Sequence, residues 1–237
     1  MSIDPQPSAL GRPEVESRPL DASQPMETGT PGVGVAVVPR AYVAHVDGLL
    51  SGVKWGSLSI DYAFPDSVTD YNPGYPAEPL TGFSALSARQ MAAAHTILNA
   101  ANWNNTGPGH FGFSVEGLTN LDIFFAGAGT GTSTIRLGNN TDAPTAYAYY
   151  PDTDATGGDV WFGNSGRNPV AGDYDYHTVI HEVGHALGLK HGHELGPFGA
   201  LPFDTDSMEY SVMTYRSYVG QNPGCDHGAD SVQVHQV

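Results

Sequence analysis

The sequence predicts an α+β domain, a small sheet carrying packed helices, on three observations. Apolar and polar residues alternate from Leu58 to Phe64 with the period of a half-buried strand. A capping box at Ser87 and Gln90 announces a helix. A second helical stretch carries His181 and His185 four residues apart, so both rings lie on one face. At 237 residues, 40% of them hydrophobic, the chain can bury one sizeable core.

Residues 1–45 read as a Pro-rich leader or linker without periodicity, in which Pro5, Pro7, Pro13, Pro19, Pro25, Pro31 and Pro39 recur through a polar background, and disorder is expected. This stretch lacks the basic start, apolar middle and small-residue cleavage site of a secretory signal peptide. Order is expected to begin at Val46 to Leu50, the opening of a domain spanning 46–218. The strand over Leu58 to Phe64 sets Leu58, Ile60, Tyr62 and Phe64 on its inward face against Ser59, Asp61 and Ala63, and stops at Pro65-Asp66. Tyr71 to Pro79, rich in Pro and Gly, reads as a loop.

The helix capped by Ser87 is expected to run to about Asn102 and to bury Ala93, Ala94, Ile97, Leu98 and Ala101 on one face. His95 on that helix reads as solvated or at the core's edge, and His110 in a Gly-rich turn is read in the same way. Strands are expected at Leu121 to Phe125, Thr134 to Leu137, Ala146 to Tyr150 and around Gly157 to Phe162. Asp173 or Asp175 can cap the next helix, which buries Val179, Ile180, Val183 and Leu187.

That helix carries the chemistry. Glu182 sits beside any ion held by His181 and His185, where a carboxylate can take a proton from water that the ion has acidified. Gly188 can adopt the left-handed conformation that ends a helix and turns His191 towards the same ion. Three neutral nitrogens with one position left open describe a catalytic zinc site, whereas structural sites are closed by four ligands. Ser211-Val212-Met213-Thr214-Tyr215 follows with the look of a Met-turn.

From Val46 to Tyr218 the chain resembles the catalytic domain of the serralysins, metzincin zinc endopeptidases secreted by bacteria. Leu49-Leu50-Ser51-Gly52-Val53-Lys54-Trp55, Thr145-Ala146-Tyr147-Ala148-Tyr149, and the His181 helix with its Met-turn carry the likeness. The resemblance implies a metzincin-type fold: a twisted, mostly parallel sheet of about five strands with an antiparallel edge strand, packed helices and a cleft floored by zinc. It implies His181, His185 and His191 as zinc ligands, Glu182 as general base, and Met213 as packing beneath the metal. It also implies that Tyr215 coordinates the resting zinc and then stabilises the oxyanion. Calcium and an extracellular location enter by the resemblance alone.

Two other histidines compete for the assignment. His193 is set aside because the third ligand falls three residues after Gly188, and His177, one turn before His181, is expected to be exposed or bonded to a carboxylate. The acidic run from Asp204 to Glu209 reads as a solvated face, with a supporting role at the site or a calcium contact as alternatives.

A net charge of −16, from 25 acidic against nine basic side chains, argues against nucleic acid and anionic membrane as partners. The one cysteine, Cys225, excludes an internal disulfide framework and a Cys-based zinc site. The expected activity is hydrolysis of peptide bonds in protein substrates laid along the sheet edge near Ala146 to Tyr150, by a monomer. A catalytically weak or inert zinc-binding fragment is the alternative. Residues 219–237 offer neither an apolar helical face nor calcium-binding repeats nor an export signal, so an irregular tail and a truncated domain are expected.

Overall fold

The computed structural model describes residues 33–71, 74–100, 114–129 and 131–221. Most of the leader, Ala101 and Asn102, His110, Cys225 and the last sixteen residues lie outside this set, and the Ser87 helix, expected to reach about Asn102, stops at Asn99.

In chain order the elements are β1 (Val35–Val37), α1 (Ala44–Asp47), β2 (Val53–Trp55), β3 (Ser59–Phe64), α2 (Ala77–Thr81), β4 (Phe83–Ser84) and α3 (Ala88–Asn99). They continue with α4 (Val115–Leu118), β5 (Asp122–Ala128), β6 (Ile135–Asn140), β7 (Ala146–Ala148), β8 (Val160–Phe162) and α5 (Tyr174–Ala186). The main sheet runs β5-β3-β6-β8-β7, parallel throughout except for β7, which closes one edge antiparallel to β8. β4 pairs antiparallel with the far end of β6, so the sheet has six strands where about five were expected. Two residues form that extra strand, too few for a periodic signal.

Order also begins earlier than expected. Val35-Ala36-Val37 pairs with Val53-Lys54-Trp55 as a separate two-stranded ladder, although it lies within the stretch read as a leader. A short β-branched run among prolines can still pair once a partner strand is present. The expected loop over Tyr71 to Pro79 ends in α2, whose third residue is Pro79. A proline in the first helical turn removes only an N–H that has no helical acceptor, so the helix tolerates it.

β3 pairs with β5 on one edge and β6 on the other; Ser59 is exposed, Ile60 buried, Asp61 half-buried and Tyr62 buried, and Ala63 and Phe64 are both buried. The expected half-buried alternation therefore holds up to Tyr62 and is lost at Ala63, and Leu58, expected on the inward face, is exposed because it precedes the strand. One core packs α3 and α5 on the sheet through Ile60, Leu98, Ile123, Leu137, Phe162, Val179 and Val183. Trp161 points to the opposite face, where it stacks on Tyr71. There Arg136 and Asp159 form a buried ion pair at 2.7 Å, with Tyr75 donating to the same carboxylate at 2.6 Å. Those bonds offset the cost of removing both charges from water.

The helix caps follow the sequence. Ser87 and Gln90 exchange the two bonds of a capping box, and Ala100 in the left-handed region ends α3. His95 is neither solvated nor marginal: it is 1% exposed, bonded to the Tyr62 hydroxyl at 2.5 Å and ringed by Phe64 and Phe125. Burial lowers its pKa, so it is a neutral core group. At α5, Asp173 accepts from the Tyr176 amide at 2.7 Å and is the cap. Asp175 instead accepts from the Gly166 and Asn168 amides, tying down the loop before the helix.

Candidate metal centre

α5 ends where the sequence requires a turn. Gly188 has φ +102°, and a side chain there would run into the Val53 carbonyl. The turn is braced by the segment before and within β2. Trp55 donates its indole N–H to the Ala186 carbonyl at 2.9 Å, and Ser51 donates from both its amide and its hydroxyl to the Gly188 carbonyl. Beyond the turn, the Lys190 amide donates to the Leu49 carbonyl at 2.8 Å. His191 is thereby carried back towards the end of α5.

The Nε2 atoms of His181, His185 and His191 lie 3.0–3.2 Å from one another, all three residues buried. Each ring has its other nitrogen engaged. His181 Nδ1 lies 2.7 Å from the Val212 carbonyl, His185 Nδ1 lies 2.7 Å from the Leu189 carbonyl, and His191 Nδ1 lies 2.9 Å from Glu194 Oε1. A carbonyl can only accept, so the hydrogen of His181 and of His185 resides on Nδ1, and an ionised Glu194 requires the same of His191. Three bare lone pairs then converge on one point, an arrangement that a cation resolves. Nitrogens bound tetrahedrally at about 2.0–2.1 Å sit roughly 3.3 Å apart, close to the spacing found. Burial, then the neighbouring imidazoles, holds His181 well below the ordinary histidine pKa, and burial first pushes His185 down to about 3. Both are neutral, as ligands must be.

Glu182 is buried on α5 beside this cluster, and burial pushes its carboxyl up to about 8. The phenols of Tyr150 and Tyr174 lie near enough to feel its charge. The Tyr215 hydroxyl is 2.8 Å from His191 Nε2, and since that nitrogen carries no hydrogen, the phenol donates. Met213 is fully buried under α5: a side chain at Gly184 would meet its sulfur. The Met-turn also touches both arms of the cluster, because Val212 accepts from His181 and the Met213 carbonyl accepts from the Gly192 amide at 3.0 Å.

His181, His185, His191, Glu182 and Tyr215 are therefore brought together. Two neighbours differ from expectation. His177 is buried, so exposure, one of its two expected states, is overturned; its ring stacks on Tyr174 and tilts against His181, because the helix face that carries His181 and His185 extends back one turn. Asp206, in the acidic run read as solvated, is buried and ion-paired with Arg216. His193 is exposed and its ring stacks on His191. Glu194 and Tyr150 are the site neighbours that sequence reading missed. Glu194 had a readable signal, a carboxylate three residues after the third histidine. Tyr150, whose ring stands edge-on to His185 at 5.6 Å, had none beyond its place at the end of an edge strand.

No protein-family model matches the chain. It is similar to Serralysin B of Dickeya chrysanthemi, 38% identical over 86 residues, or 32% of this chain and 18% of that relative. Serralysin G of the same organism is 25% identical over 191 residues, covering 76% of this chain and 38% of the relative. Metallopeptidase AprA of Pseudomonas marginalis is 27% identical over 188 residues, covering 73% and 36%. The matched stretches thus span from 18% to 38% of these relatives' lengths. The similarity supports a serralysin-like protease family and a metal-dependent hydrolase. Among the described residues no helix is long and apolar enough to cross a membrane.

Proposed function

We propose that this chain is the catalytic part of a zinc-dependent endopeptidase that hydrolyses peptide bonds of proteins, acting outside the cell. One observation carries the reading: three buried imidazoles aim bare Nε2 atoms at one point, with Glu182 and the Tyr215 hydroxyl beside it. Held there by His181, His185 and His191, zinc supplies a Lewis acid for the scissile carbonyl and lowers the pKa of water. Glu182 takes the proton from the attacking water and hands it to the leaving nitrogen. Its carboxyl, buried on α5 next to His181, is placed to make both transfers. Tyr215 donates its hydroxyl hydrogen to the oxygen on which charge develops. β7, at the edge of the sheet and packed beside α5, offers backbone groups along which an extended peptide can lie. Recognition through backbone implies tolerance of many sequences.

The test is cleavage of an unstructured protein by the chain after metal removal and after zinc return, with the fragments mapped by mass spectrometry. Internal cuts that vanish with the metal and return with zinc support the reading. Zinc uptake without cleavage leaves an inert binding module instead.

A further inference from the structure

The three imidazoles are not restrained alike. His181 and His185 stand on α5, whose backbone fixes their spacing, and each donates from Nδ1 to a main-chain carbonyl. His191 lies beyond the Gly188 turn, outside regular secondary structure, and its Nδ1 meets a side chain, Glu194 Oε1 at 2.9 Å. The ligand with the least support from its own backbone is the one given a charged acceptor. A hydrogen bond to an ionised acceptor is about twice as strong as a neutral one. It also draws the Nδ1 hydrogen towards the carboxylate and leaves Nε2 a better donor to a metal.

A carboxylate that is 38% exposed would ordinarily wander, but the backbone that carries this one is fixed. The Glu194 amide donates to the His191 carbonyl at 3.2 Å. The Lys190 ammonium donates to the carbonyls of Gly48 at 2.5 Å, Glu194 at 2.6 Å and His191 at 3.3 Å, and the residue is 2% exposed. A buried cation in a cage of carbonyls thus ties the 191–194 loop to the segment after α1. His193 stacks against His191 at 5.5 Å and Tyr215 lies at 4.5 Å, so the ring is restrained at its face as well as its edge.

We propose that Glu194 is the positioning residue of the third metal ligand, its carboxylate presented by the Lys190-clamped loop so as to lock the His191 ring and tighten the hold on zinc. The inference rests on the metal-site reading above and concerns this chain's own residues.

The experiment is a zinc titration of the metal-stripped 237-residue chain against a chromophoric chelator, with Glu194→Gln, Glu194→Ala and His185→Ala alongside, and urea unfolding of each metal-free form. The amide of Glu194→Gln keeps an acceptor and loses the charge, whereas Glu194→Ala loses both. Outer partners of ligating histidines are worth roughly 10–100-fold in metal affinity, so Gln is expected near the low end and Ala near the high end. The metal-free Gln variant is expected to unfold at the parent's urea midpoint, which a merely structural role would not allow. Zinc binding by Glu194→Gln and Glu194→Ala within a factor of about three of the parent would overturn the assignment, since that lies below the range such partners produce. So would a parallel fall in metal-free stability, or a second equivalent of zinc lost in the variants while the first is held unchanged, which would make Glu194 a ligand with His193. If the parent takes up no more zinc than His185→Ala, the metal-site reading itself fails and this inference falls with it. A parent that binds alongside unaffected Glu194 variants sinks only the inference.

Discussion

His181 Nδ1 donates to the Val212 carbonyl at 2.7 Å, so a residue of the Met213 turn sets the rotation of an imidazole 31 positions earlier in the chain. The same turn accepts from Gly192 through Met213, next to His191. The Met-turn is thus a strut between the helical and the looped halves of the cluster, and Met213 fills the space that Gly184 leaves beneath α5.

The chain is expected to bind zinc tightly at one site. His181→Ala or His185→Ala removes tight binding, because two nitrogens seldom hold the ion against water. Elemental analysis after dialysis against a weak chelator reads this directly. A variant that retains a full equivalent would show that the cluster is not the site.

Tyr215→Phe is expected to slow turnover by about ten- to a thousandfold with little change in zinc affinity, as one oxyanion donor is worth roughly 2–4 kcal/mol. Steady-state rates on a peptide substrate decide it. An unchanged kcat would reduce Tyr215 to a packing ring against His191.

Glu182 gives the metal-free protein a pH signature. Burial raises its folded pKa from 4.5 to about 8, so the stability associated with the neutral carboxyl is full below 4.5 and is lost as pH rises through about 8. Metal-free parent should therefore lose stability relative to Glu182→Gln across that window, by an amount on the order of a few kcal/mol. Urea midpoints of both proteins at pH 5, 7 and 9 provide the comparison. A difference that stays flat with pH means that the carboxyl keeps its ordinary pKa.

Gly188→Ala should destabilise the fold by about 1–3 kcal/mol, since φ is +102° and the new methyl would press on the Val53 carbonyl. Zinc affinity should fall with it, because the same turn aims His191. Parent-like unfolding and parent-like affinity together would mean that the turn adapts without cost.

What was legible in the sequence was local. The Ser87–Gln90 box, a cap at Asp173 or Asp175 and the four-residue spacing of His181 and His185 depend on neighbours within a turn or two; the fold contains the box and the spacing and takes Asp173 as the cap. What was not legible depends on distant partners. His95 looks solvated until Tyr62, 33 residues away, supplies a hydroxyl. The acceptors of His181 and His185 are main-chain carbonyls, which carry no residue identity to read. Lys190 carries no signal of its own in the sequence, since the carbonyls of Gly48, His191 and Glu194 that surround it are main-chain groups. β4 and α2 were missed because two residues, or a turn containing proline, fall below what periodicity can register.

The most direct test of the central claim is to load the parent and Glu182→Ala with zinc, verify equal metal content, and compare their rates on an unstructured protein. Equal zinc with a loss of turnover of at least about a hundredfold is the predicted result, the scale on which a general base acts. Equal zinc with equal rates would contradict it.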